Sequence, residues 1–247
     1  MLSIITPVLN GENFIESNIK EIQKLKINFE HIIVDGGSSD RTLAILNKYP
    51  HVKLVIQSNN FGMYGAIHEG ILSSNGDYVA YVNCDDLILK NGFEKMYNDI
   101  IKNRCDLIYS DGYWHYPKKN KYIIKPGIPF GSFFLKNGIL PFIQPSSIYL
   151  KSSYNKINGF DYKKFKIIGD KDLFVRMSKI KGFNAKYINT FSTIFLKYGD
   201  SLGDRNISLY QKELIFCPRN KSLVVSFCYH FLRIINTIQI KLFCKNL

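Results

Sequence analysis

The feature that most restricts the fold is an alternation of apolar, β-branched runs, each stopped by a polar turn, with segments of helical spacing. Residues 2–8 form a continuous apolar run ending at Pro7–Gly11, and residues 13–26 set Phe14, Ile15, Ile19, Ile22 and Leu25 on one helical face. His31–Asp35 is a second run, stopped by Gly36-Gly37, and Ser38, Ser39 and Asp40 offer caps for a helix to about Lys48. Strands over Val52–Gln57, Asp77–Asn83 and Asp106–Ser110 continue the series, with helices over Tyr64–Ser74 and about 90–102 between them. Such an order predicts βαβ units, hence an α/β fold with a mainly parallel, Rossmann-like sheet flanked by helices.

Beyond residue 111 the rhythm is lost. A hairpin is expected from Gly112–Tyr116 and Lys121–Lys125 across Pro117–Asn120, whereas the Gly/Pro/Phe-rich stretch 126–145 has no clear period. A helix at about 170–181, an extended stretch at 185–196 and a helical segment from about 220 complete the reading.

The net charge of +13 is unevenly spread: residues 1–112 carry 10 basic against 14 acidic residues, residues 113–166 carry 10 against 1. The basic half suits either an ordinary lysine-rich surface or a face that meets anionic lipid or a phosphate-bearing acceptor. No zinc spacing, helix-turn-helix or RNP signature accompanies the charge, so no nucleic-acid partner is expected. Five cysteines without a CxxC pair imply reduced thiols, and no signal-peptide pattern follows Met1, so a cytoplasmic location is expected.

Ligands of open parallel sheets bind beyond the carboxyl ends of the strands. Three such ends are polar here: Thr6–Asn10, Asp35-Gly36-Gly37 and Asn83-Cys84-Asp85-Asp86. Asp35 with bare backbone beside it suits a base or ribose edge, or simply an ordinary turn and cap. Asp85 and Asp86 repel each other at the end of a buried strand unless a cation, Mg²⁺ or Mn²⁺, neutralises them; the alternative is a solvated acidic turn. Neither GxGxxG in the first turn nor GxxxxGK[ST] anywhere is present, which favours a metal over a glycine cradle for holding phosphates.

Over roughly residues 2–198 the chain resembles glycosyltransferase family 2, inverting enzymes of the GT-A fold, and most nearly its bacterial surface-polysaccharide and lipid-linked-glycan branch. The stretches that carry the resemblance are SIITPVLNGENFI, IIVDGGSSDRT, GMYGAIHEGI, GDYVAYVNCDD and NGFDYKKFKIIGDKDLFVRM, in that order. It implies a nucleotide diphosphate sugar donor, uridine-linked in the sense that Asp35 and the Pro7 region would contact uracil or its equivalent base, and a glycan or lipid-linked acceptor. It places Asn83 to Asp86 at the Asp-x-Asp position, with Asn83, Asp85 and Asp86 reaching ribose, diphosphate and metal. Asp170 aligns with the catalytic base. The organisation it implies is a GT-A domain over 1–205, with a nucleotide-sugar half (1–112) and an acceptor half (113–205), then a basic, apolar tail (206–247). Departures are Asn60 and Gly65 where carboxylates are usual, His68 for Asn, and Ile143-Gln144 for His-Gln. They leave open a second reading, a catalytically silent sugar-nucleotide-binding or scaffold protein of a polysaccharide complex.

From Ser222 to Phe243 the tail is strongly apolar but is interrupted by Arg233, with His230, Asn236 and Gln239 nearby. A charge at the centre of a spanning helix costs roughly 2.5–3.5 kcal/mol, which disfavours a transmembrane span. The expectation is a helix lying on the cytoplasmic face of an anionic membrane, with docking on the domain as the alternative.

Overall fold

The computed structural model describes residues 1–57, 61–199, 205–217 and 219–244. Asn60, and with it one of the two missing carboxylates, lies outside the described residues. β1 (Leu2–Val8), α1 (Ile15–Ile22), β2 (Phe29–Asp35), α2 (Thr42–Leu46), β3 (Lys53–Ile56), α3 (Gly62–Leu72) and β4 (Tyr78–Tyr81) make the alternating first part. β5 (Leu87–Ile88), α4 (Lys90–Asn103), β6 (Leu107–Tyr116), β7 (Lys121–Lys125), α5 (Gly131–Lys136), β8 (Ser147–Leu150) and α6 (Lys151–Lys156) follow. α7 (Gly169–Ser178), β9 (Ala185–Leu196), α8 (Ile207–Phe216) and α9 (Leu223–Cys244) complete the chain.

The sheet runs β3-β2-β1-β4-β8-β6-β9-β5, with β7 paired to β6. β3, β2, β1 and β4 are parallel, as expected, and the register Val8↔Asp35 and Ile5↔Tyr81 brings the ends of β1, β2 and β4 to one edge. β8 then enters antiparallel between β4 and β6. The expected fifth strand and the first arm of the hairpin are one long strand, β6, which bulges at Ser110–Gly112 against parallel β9. Such a bulge raises local twist and redirects the strand. The sheet therefore leaves the parallel unit and curls.

Helical spacing buries Ile15, Ile19 and Ile22 of α1 against one face, while α3 crosses the other at Gly70. A Cβ at Gly70 would stand 2.6 Å from Ile5 and 2.8 Å from Val34, so glycine sets how closely that helix approaches the strands. α9 lies on the second half: Val225 and Ile240 are buried, and Cys228, Tyr229 and Leu232 pack with Ile128, Phe134 and Ile139.

Candidate functional site

The first two strand ends are knitted into one surface. The Asn10 backbone N–H donates to Ser38 Oγ (2.8 Å), and Gly11 N–H to Thr42 Oγ1 (2.9 Å). Asp35 is wholly buried; its carboxylate accepts Gly37 and Ser38 N–H (both 2.9 Å) and the Ser38 hydroxyl (2.5 Å). Gly37 has φ +93°, a left-handed conformation that glycine adopts without strain. Pro7 is buried in β1 opposite Val34. Asp35 thus holds the turn that presents it.

The third end meets them directly. Asn18 of α1 donates to the Asn83 carbonyl (3.2 Å), and a Cβ at Gly11 would be 3.3 Å from Cys84 Sγ. The adjacent carboxylates have different surroundings. Asp86 is buried, accepting Leu196 N–H of β9 (3.2 Å) and the Asn83 side-chain amide (3.2 Å). Burial and the Asp85 charge push its pKa far up, and burial raises Asp85 as well. Asp85 is half-buried, while the buried Asn83 Oδ1 has no hydrogen-bond partner among the described residues. No group of three or more His, Cys, Asp or Glu suited to a metal occurs among the described residues. An orphaned amide oxygen beside a carboxylate still offers hard oxygen donors, of the kind that share Mg²⁺ or Mn²⁺ with substrate phosphates.

Asp170 sits in the first turn of α7, half-buried, with its pKa raised by burial. It accepts Lys171 N–H (2.8 Å) and the Tyr64 hydroxyl (3.3 Å), which also reaches the Ile167 carbonyl (2.9 Å). The Tyr64 ring occupies the place of a Cβ at Gly169, 2.7 Å away, so only glycine lets α7 begin here. Asp172 is tied to Arg176 (2.7 Å), which also binds the Ile157 and Gly159 carbonyls. Among the described residues, Asp170 is the α7 carboxylate without such an ion pair.

From the Asp170 side, Tyr64 stacks on Phe160 (5.1 Å), and Phe160 in turn packs edge to face with Tyr81 at the end of β4 (5.9 Å). The Tyr81 hydroxyl is pushed up by burial first and then by the charges of Asp170 and Asp86 among others, and Gln144 donates to its carbonyl (2.9 Å). Tyr64, Tyr81 and Asn18 were not among the residues expected at the site; Tyr64 and Tyr81 had a signal, their places in the GMYGAIHEGI and GDYVAYVNCDD stretches. At Gly65 an added Cβ would collide with Phe61, whose ring lies tilted against Tyr162 at 5.1 Å. Phe61 fills the position of the second missing carboxylate.

Beside Asp86 the surface turns cationic. Lys125 Nζ lies 3.3 Å from the Trp114 ring centroid and Lys197 Nζ 5.1 Å from the same ring. Burial, with the charges of Arg233 and Lys197, lowers Lys125 to about 8. Two hollows, of about 320 and 400 Å³, lie against α8 and α9.

Comparison with known proteins gives this geometry its family. Residues 3–158 match the family described as glycosyl transferase family 2. The chain belongs to that family. Glycosyl transferase family 2 relatives include an uncharacterized glycosyltransferase of Rickettsia typhi, 29% identical over 192 residues, covering 73% of this chain and 60% of that protein. A UDP-Glc:alpha-D-GlcNAc-diphosphoundecaprenol beta-1,3-glucosyltransferase of Escherichia coli is 25% identical, covering 64% of this chain and 71% of its own. The chain spans 46% of a Haemophilus influenzae relative to which it is 32% identical. In fold it is similar to S. aureus TarS 1–349 (TM-score 0.62, 20% identity, 87% of this chain and 64% of that one). It is also similar to a Pyrobaculum calidifontis mannosyltransferase in complex with GDP-Man and Mn²⁺ (TM-score 0.64, 13% identity, 87% and 61%). The fold is the GT-A fold. Asp170 lies beyond the matched segment, as do α8 and α9.

Proposed function

We propose that this chain transfers a sugar, with inversion, from a nucleotide diphosphate sugar to the hydroxyl of a glycan or lipid-linked acceptor. The observation that carries the reading is a run of contacts from the strand ends to Asp170: Tyr81, at the end of β4, meets Phe160 edge to face (5.9 Å), Phe160 stacks on Tyr64 (5.1 Å), and Tyr64 donates to Asp170 (3.3 Å). The nucleotide would lie over Pro7 and Asp35, its diphosphate toward Asn83 and Asp85. Asp85, with Asn83 Oδ1, would hold the metal, and Asp86 would brace the turn through Leu196. Mg²⁺ or Mn²⁺ there would supply positive charge to the departing diphosphate. Asp170 takes the acceptor proton as the acceptor oxygen bonds to the anomeric carbon and the bond to the diphosphate oxygen breaks. A uridine-linked donor is favoured by the S. aureus TarS structure solved in complex with UDP-GlcNAc (TM-score 0.60, 19% identity, 81% of this chain and 59% of that one).

The tail supports a membrane-bound acceptor in surface-polysaccharide synthesis. α9 is the one helix among the described residues long and apolar enough to cross a membrane, yet Asn236 on it donates to the Gly127 carbonyl (2.6 Å) and to Tyr187 (3.0 Å). One side is therefore committed to protein, while Leu223, Val224, Phe227, Phe231, Ile234 and Ile238 stay exposed beside Arg233 and Lys241. Such a face suits peripheral attachment to the cytoplasmic leaflet, each cation adding about 1 kcal/mol near anionic lipid. Lys245, also basic, lies outside the described residues.

The test is calorimetry with UDP, UDP-N-acetylglucosamine and UDP-glucose, followed by turnover on lipid-linked acceptors. Binding should require Mg²⁺ or Mn²⁺ and weaken about tenfold or more in Asp85→Asn. Unchanged affinity after EDTA treatment would remove the metal assignment. Metal-dependent binding without any hydrolysis or transfer would favour the silent sugar-nucleotide-binding role.

A further inference from the structure

The loop that leads to Asp170 is held by α8, a helix outside the alternating first part. Glu213, midway along α8, is 3% exposed, and it is the only acidic residue among residues 206–247. Its carboxylate accepts three consecutive backbone N–H groups, from Lys166 (2.7 Å), Ile167 (3.0 Å) and Ile168 (3.0 Å). Ile168 is the residue from which α7 starts, so Asp170 follows two positions later. A buried carboxylate is costly unless its lone pairs are filled, and N–H groups at the positive end of a helix fill them well. No ion pair involves Glu213 among the described residues, so these amides are its main compensation. A second tie runs from Lys171 Nζ to the Cys217 carbonyl (2.9 Å). Tyr64 grips the same loop from the crevice side, at the Ile167 carbonyl.

We infer that Glu213 is a positioning residue for the transfer reaction: by clamping Lys166–Ile168 from α8, it sets the direction in which Asp170 presents its carboxylate to the acceptor. The inference rests on Asp170 as the base. A group that only stabilised the fold would, when removed, lower the melting temperature and leave the turnover of folded protein unchanged. A group that aims the base changes kcat and spares donor binding, because Pro7, Asp35 and Asp85 stand on other elements.

The experiment is a double-mutant cycle in the full chain with Glu213→Gln and Asp170→Asn, using Glu213→Asp as the conservative variant. UDP release from UDP-N-acetylglucosamine, or from UDP-glucose, gives kcat and KM; calorimetry with UDP and Mn²⁺ reports the donor half. Glu213→Gln places an amide N–H₂ against a backbone N–H. It should lower kcat about 10–100-fold, the scale of a misplaced catalytic group, with KM and UDP affinity within about twofold. Glu213→Asp should recover part of the loss, and amide hydrogen exchange at Lys166–Ile168 should speed up in Glu213→Gln. The double variant should be no slower than Asp170→Asn alone. The inference is overturned if folded Glu213→Gln keeps wild-type kcat, if exchange in the loop is unchanged, or if Glu213→Gln costs the same factor in both backgrounds. Full turnover by Asp170→Asn itself is a different failure, that of the base assignment.

Discussion

The strand-end carboxylates of the first half and the proposed base of the second half are held by different means. Asp35 is fixed by groups two and three residues away, and Asp86 by Asn83, three residues back, with Leu196 as its distant partner. Asp170 is held by Tyr64, 106 residues away, and the loop leading to it by Glu213, 45 residues from Ile168. Farther out, Asp111 is buried in a network that spans the second half. It accepts Gly127 N–H (2.8 Å) and the Tyr187 hydroxyl (3.0 Å to each oxygen), while Asn236 of α9 donates to both Tyr187 and the Gly127 carbonyl. The surface proposed for the donor is thus a set of largely self-supporting turns. The surface proposed for the acceptor depends on the meeting of distant segments.

The sharpest way to break this contrast is at Asp170. Asp170→Asn should lower kcat at least about hundredfold, given the usual size of general base effects, and leave UDP affinity nearly intact. Because burial raises the Asp170 carboxyl and the base must be ionised to act, the wild-type rate should fall on the acid side at a pH above the ordinary carboxylate range. A variant with more than about a tenth of wild-type turnover would place the base elsewhere; Asp172 is then a poor substitute, since Arg176 already holds it.

A smaller effect is expected at α9. Deleting the helix would also strip cover from Ile128, Phe134 and Ile139, at roughly 1.5–3 kcal/mol for each apolar side chain returned to water. Substituting the exposed Phe227, Phe231 and Ile234 by serine avoids that cost. The triple variant should keep its melting temperature and sediment less with anionic vesicles, and high salt should weaken binding of the unaltered chain. Equal, negligible sedimentation of both would leave α9 as a packing helix alone.

The smallest effect concerns Asp111, whose carboxyl is pushed up to about 7 by burial. The folded chain holds that proton more tightly than the unfolded one. The stabilisation is complete below about pH 4, the unfolded carboxylate value, and is lost as pH rises through about 7. Asp111→Asn has no charge to bury, so relative to wild type it should gain melting temperature at pH 8 compared with pH 5, by about 2–4 °C per kcal/mol. An equal difference at both pH values would show that the carboxyl does not titrate in this range.

Much of the donor half was legible because its determinants are local. Apolar runs stopped by Pro, Gly and Asp mark the strand ends, and the parallel register of β1, β2 and β4 follows from helices too long for hairpins. The second half was less so. β8 and α6 lie in or just after the stretch without a period, and α8 precedes the predicted tail helix, so the element that carries Glu213 was not expected.

By itself the sequence determined the alternating α/β unit, the turns at Asp35 and Asn83–Asp86, and the family motifs, since each depends on residues adjacent in the chain. Only the tertiary structure decided which of two neighbouring aspartates is buried against β9, which carboxylate of α7 escapes a salt bridge, and which side of α9 meets protein. Those outcomes depend on desolvation and on hydrogen-bond partners dozens of residues away, and composition and periodicity carry no record of such partners.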